Sequence, residues 1–204
     1  MLRFTTFAIA FSLLACPAAF ANSSAYTKLK QQDCTTTTQD EAGANSTCPG
    51  FGDYPLYIKD GDLRIAVTYG PALQVIIDRS FESFSSFNNI NETTEWRLNN
   101  KGLPFAAIQR WYIENDPSGD GTSSRSRGQV LVISRVAQPE DGLSCVVGYV
   151  DALANANANA LSRTVADNEA RDFACGYSEP MWWGERGEKS GEPMRYLPDE
   201  LKIE

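Results

Sequence analysis

The chain of 204 residues contains no histidine. That absence removes Ser-His-Asp and Cys-His catalysis, histidine-ligated zinc and histidine pH switches from the functions open to it. It also lacks a glycine-rich phosphate loop and a G-x-S-x-G nucleophile elbow. Long apolar runs are missing too: Phe4–Ala15 is the longest, and it falls short of the about 20 residues that cross a bilayer. Basic residues are few, 18 against 26 acidic. This balance disfavours nucleic acid and anionic membrane surfaces, and it suits a basic or cationic partner.

The apolar run belongs to a leader. Met1–Arg3 is a short positive start, and Ala19-Phe20-Ala21 is a small-x-small cleavage site, so residues 1–21 read as a signal peptide and the mature chain begins near Asn22. A minor alternative is a lipoprotein anchored through Cys16, since Leu13-Leu14-Ala15-Cys16 approximates an acylation box. Loss of Arg3 leaves 17 basic residues against 26 acidic, a net charge of about −9. The expected product is exported, periplasmic or secreted, and is not an integral membrane protein.

Without Cys16 four cysteines remain, an even number that signals two disulfides in an exported chain. Three pairings are open. Cys34–Cys48 with Cys145–Cys175 is favoured because each pair brackets one local unit, and closing loops of about 15 and 31 residues restricts the unfolded chain by roughly 3–4 kcal/mol apiece. If the cysteines are paired, no thiol nucleophile remains.

What is present is mainly strand signal. Leu63, Ile65, Val67 and Tyr69 alternate with Arg64, Ala66 and Thr68, and Lys59-Asp60-Gly61-Asp62 before them predicts a hairpin turn. Strands are also expected at Tyr54–Ile58, Glu92–Leu98, Phe105–Glu114, Gln129–Val136 and Ser144–Asp151. Ala72–Ile77 fits an edge strand or a short helix, and Phe81, Phe84 and Phe87 suggest a loop pinned by aromatics. A helix over Ala152–Ala174, capped by Asp151, carries Leu161, Val165, Ala166, Ala170 and Phe173 at spacings of three and four. Asn22–Thr47, polar and threonine-rich, reads as irregular structure. The fold class is α+β: a mostly antiparallel sheet of about six strands with one C-terminal helix packed on a face. Residues 22–175 form one domain, and 176–204 form a charged tail containing Gly, Pro and Trp.

Few groups qualify as a site. Asp116, Ser118 and Asp120 copy the start of a calcium loop, but Arg127 stands where a bidentate carboxylate is required, so a plain surface loop is expected. Trp96, Trp111 and Tyr112 would make an aromatic binding row if exposed; core packing explains them more cheaply. Arg125 and Arg127 could pair with phosphate or carboxylate on a partner; a solvated loop is the readier account. The pairs Asp60/Asp62 and Glu179/Glu185 have nothing in their spacing that marks catalysis, and no catalytic residue or cofactor is assigned. Met181, Trp182 and Trp183 are the best interaction candidate, with docking of the tail onto the body the readier account.

Tyr26-Thr27 with Cys34 and Cys48, Gly61-Asp62-Leu63-Arg64, Tyr69-Gly70, Glu95-Trp96-Arg97-Leu98, Gly128-Gln129-Val130-Leu131-Val132 and Tyr149-Val150-Asp151-Ala152-Leu153-Ala154 together resemble an uncharacterised group of exported alphaproteobacterial proteins. The resemblance implies a periplasmic setting and carries no activity or site residue. The leading expectation is a non-enzymatic exported protein that binds another protein or an envelope component, as an accessory factor or inhibitor. The alternatives are a carboxylate-based hydrolase of envelope glycan or peptide, which needs no histidine, and a small-ligand carrier with its pocket between sheet and helix.

Overall fold

β-Branched and aromatic residues make strand the main regular element of the chain. The computed structural model describes residues 22–41, 43–116 and 126–201, so the leader and Cys16 lie outside the described residues. The first half carries β1 (Ser23–Lys28), β2 (Thr35–Gln39), β3 (Gly43–Phe51), β4 (Tyr54–Gly61), β5 (Arg64–Tyr69), the short helix α1 (Gln74–Arg79), β6 (Phe81–Phe84) and β7 (Asn88–Leu98). The second half carries β8 (Pro104–Ile113), β9 (Gly128–Arg135), β10 (Cys145–Asp151), helix α2 (Ala158–Glu169), β11 (Met181–Trp182) and β12 (Pro193–Tyr196).

A six-stranded sheet runs β1-β7-β8-β9-β10-β11, antiparallel except for the last pair. A four-stranded antiparallel sheet runs β2-β3-β4-β5, and β6 pairs with β12. Side chains alternate across each strand, so the six-stranded sheet has two apolar faces. Ala106, Ile108, Leu131, Ile133 and Val150 pack against Ala158, Val165 and Ala166 of α2 and Ala170 just past its end. On the opposite face Trp96 and Ala107 meet Cys48, Leu56 and Tyr69 of the four-stranded sheet. Further along that face Trp111, Val132 and Tyr149 meet Phe84 of β6. The result is helix, sheet and second sheet layer, α+β and mostly antiparallel, stapled by Cys34–Cys48 and Cys145–Cys175. Among the described residues no helix is long and apolar enough to cross a membrane.

Several expectations are corrected. The expected helix over 152–174 is shorter, with Asn157 at its N-cap. Asp151 does act as a cap, but of a turn: its Oδ1 accepts the Leu153 and Ala154 N–H groups at 2.8 and 3.0 Å. Asn155 is held elsewhere, donating to Asp151 O and Glu185 O and accepting the Glu185 N–H. Asparagine side chains that bond locally compete with helix, which accounts for the late start. The N-terminal segment expected to be irregular forms β1, β2 and most of β3; threonine is polar, yet its branched Cβ favours strand. Phe81 and Phe84 lie in β6 rather than a loop, and the first of the two choices at 72–77 fails, since a helix forms there. Leu63, expected on the buried face of its strand, occupies the β4–β5 turn with φ 59° and is 66% exposed. Trp96 and Trp111 are buried, so they form no exposed row. The last segment joins the body at two places: Met181 and Trp182 pair with Gly148 and Tyr149 of the six-stranded sheet, and Pro193–Tyr196 pairs with β6.

Candidate functional site

Register across the four-stranded sheet determines which residues face inward. Opposed residues share a face, which gives three inward rows: Cys48, Leu56, Tyr69; then Thr36, Ser46, Ile58, Val67; then Gln39, Ala44, Asp60, Ile65. Trp96 and Leu98 close the first row. The other two rows look into a cleft of about 480 Å³, whose far wall is Leu29, Ile90 and Glu92 from the β1–β7 side of the six-stranded sheet. The Cys34–Cys48 bond forms one end. The lining therefore combines aliphatic side chains with hydroxyls, amides and two carboxylates, Asp60 and Glu92, and no Lys or Arg lines it. Among the described residues neither carboxylate has an ion-pair partner. Lys59, next in sequence to Asp60, faces the other side of the sheet, where its Nζ donates to Ser80 O at 2.8 Å and burial lowers its pKa against the pull of Asp78.

Met181, Trp182 and Trp183 divide among three environments. Trp182 stacks on Tyr149, ring centroids 5.1 Å apart, under the Arg186 guanidinium at 4.5 Å. Trp183 packs on the helix side of the same strand, against Gly148, where an added Cβ would sit 2.9 Å from the indole Nε1. Met181 alone points outward, 58% exposed. With Val147, Phe173 and Trp183 it walls a hollow of about 240 Å³ rimmed by Glu169, Asp172 and Glu179.

The remaining sequence candidates do not converge. Asp62 is ion-paired to Arg64 at the exposed turn, and Glu179 to Arg195 at 3.0 Å. Of the calcium candidates, Ser118 and Asp120 lie outside the described residues, and the Asp116 backbone N–H donates to Glu114 Oε1 at 3.2 Å. Among the described residues no three acidic or cysteine side chains group as metal ligands do. Arg125 lies outside the described residues; Arg127 sits over the Tyr112 ring and 3.8 Å from Glu114.

Two buried charged groups had no signal in the sequence because their partners are remote in the chain. Glu82 accepts from Arg195 Nε at 2.8 Å and from the Val146 N–H at 2.9 Å. Burial outweighs both contacts and pushes its pKa up to about 7. Arg97 grips Asp167 of α2 with two bonds of 2.9 and 2.7 Å, beside Glu95, which is paired in turn with Arg163. These networks fasten β12 to β6 and α2 to β7. Compared with family models, curated proteins and solved structures, the chain finds no match.

Proposed function

We propose that the chain is an exported, periplasmic binding protein without catalytic activity, which takes part of another protein or of an envelope component into the cleft between its two larger sheets. The observation that carries this reading is the pair of open rows: an aliphatic floor with convergent hydroxyl, amide and carboxylate groups, in a volume typical of ligand sites. The leader and the two disulfides support export, and the resemblance to exported alphaproteobacterial proteins supports the periplasm. A photo-crosslinking amino acid placed at Ser46, inside the cleft, should give an adduct of defined mass in living cells, whereas the same group at Thr68 on the outer face should not. Equal labelling from both positions, or none from Ser46, would sink the reading.

One observation favours a second reading. Asp60 and Glu92 share the cleft, as the two carboxylates of a histidine-free hydrolase must. Turnover of cell-wall fragments by the wild-type chain that is abolished in Asp60→Asn would establish the hydrolase and displace the binder.

A further inference from the structure

The four-stranded sheet ends in β2, whose outer edge has no strand partner among the described residues, and all five of its residues, Thr35 to Gln39, are exposed. Natural edges are usually blunted by lysine, proline or a covering element. β2 carries neither lysine nor proline, and four of its five residues are β-branched threonine. Its position is also fixed before any partner arrives: Cys34, immediately before it, is bonded to Cys48 of β3. A preorganised edge lowers the ordering cost of adding a strand.

We propose that β2 is a docking edge at which an extended segment of a partner protein adds as a fifth strand, placing alternate side chains, apolar and basic in turn, into the cleft. The inference rests on the cleft being a binding site and goes further by naming the mode and the chemistry of the occupant. Register carries it. The two open rows begin on β2, with Thr36 opposite Ser46 and Gln39 opposite Ala44. A strand laid about 4.8 Å beyond β2 therefore extends those rows, with alternate side chains facing the cleft on either side of the shift between Thr36 and Thr38. Ile58, Ile65 and Ile90 call for apolar side chains there; Asp60 and Glu92, with no basic residue in the lining, call for basic ones.

The register shift between Thr36 and Thr38 makes β2 a bulged edge. Bulges discourage indiscriminate pairing, so backbone bonds alone do not select the partner and the cleft side chains must. A second copy of this chain is a poor occupant. Edge-to-edge pairing of two β2 strands would present threonines to the isoleucines and would bring together two molecules of net charge about −9.

Amide exchange on the disulfide-bonded chain recovered from the periplasm tests this, with the blocked six-residue peptide Lys-Thr-Val-Thr-Lys-Thr, whose one face carries lysine, valine and lysine in turn, as probe and the same peptide with glutamate for lysine as control. Binding of the lysine peptide should slow exchange at Thr35 to Gln39 by about tenfold or more. The glutamate peptide should bind about tenfold more weakly, and Asp60→Asn with Glu92→Gln should remove most of that difference. Binding with no slowing at β2 would overturn strand addition while leaving the cleft a binding site. Failure of the lysine peptide to bind would overturn the stated chemistry, and the Ser46 crosslink would still decide whether the cleft binds anything. Slowing at Thr35 to Gln39 that depends on protein concentration without peptide would replace the partner with a second copy.

Discussion

Glu82 is the residue on which the pH response of the fold turns. Its carboxyl is buried between β6, β10 and β12, and burial raises its pKa from 4.5 to about 7 even though Arg195 and the Val146 N–H favour the charged form. A raised folded-state pKa means that the native state holds a proton the unfolded chain would release. The resulting stability is present in full below about 4.5 and is lost as pH rises through about 7. Unfolding free energy measured by denaturant titration should therefore decline between pH 5 and pH 8, and Glu82→Gln, which cannot ionise, should flatten that part of the profile. A profile unchanged by the substitution would mean that Arg195 keeps Glu82 ionised throughout. Nothing local in Phe81-Glu82-Ser83-Phe84 announces this group, because Arg195 lies 113 positions away. Leu63 misled for the opposite reason: strict alternation with Ile65 and Val67 placed it in the strand, while the turn took Asp62 and Leu63, φ 50° and 59°, instead of the more permissive Gly61.

At the scale of elements, strands with an apolar alternation were legible and strands with none were not. β4, β5, β8, β9 and β10 fall within a few residues of their expected spans, because burial on one face writes a period of two into the sequence and burial on both writes a short continuous apolar run. β2 has no buried face and so writes no such period. β6, β11 and β12 are two to four residues long and exist through partners distant in sequence. The join between β10 and the last segment depends on Asp151, which is 2% exposed and accepts N–H bonds from Leu153, Ala154 and Gly187. Asp151→Ala leaves three donors short of an acceptor, and the loss of bonds to a charged group is expected to cost about 3 kcal/mol. The loss should also be local. Exchange at Gly187 and at the Trp183 N–H, which donates to Tyr149 O at 2.8 Å, should rise more than exchange within β8. A uniform rise across the molecule would show that the last segment does not open independently of the sheet.

For the molecule as a whole, the two disulfides divide the work of stability and of site geometry. Cys145–Cys175 ties β10, a strand buried along its whole length, to the chain just beyond α2. Cys34–Cys48 ties an edge strand to its neighbour at the end of the cleft. Both close loops whose entropy is worth about 3–4 kcal/mol in the unfolded chain, so replacing either pair with serine should lower stability by a similar amount. The native states should nevertheless differ. Without Cys145–Cys175 the core clusters still fix the sheet, and β2 should keep its exchange rates relative to β3. Without Cys34–Cys48, β2 retains its antiparallel ladder with β3 and one exposed bond from Thr37 Oγ1 to Asn45 O, and its five exposed residues bury nothing that would hold them. Cys34→Ser with Cys48→Ser should therefore release Thr35 to Gln39 to fast exchange while β8 and β9 stay protected, and should abolish any Ser46 crosslink. If both double variants leave β2 equally ordered, backbone pairing alone positions the edge, and the disulfide contributes to stability without shaping the cleft.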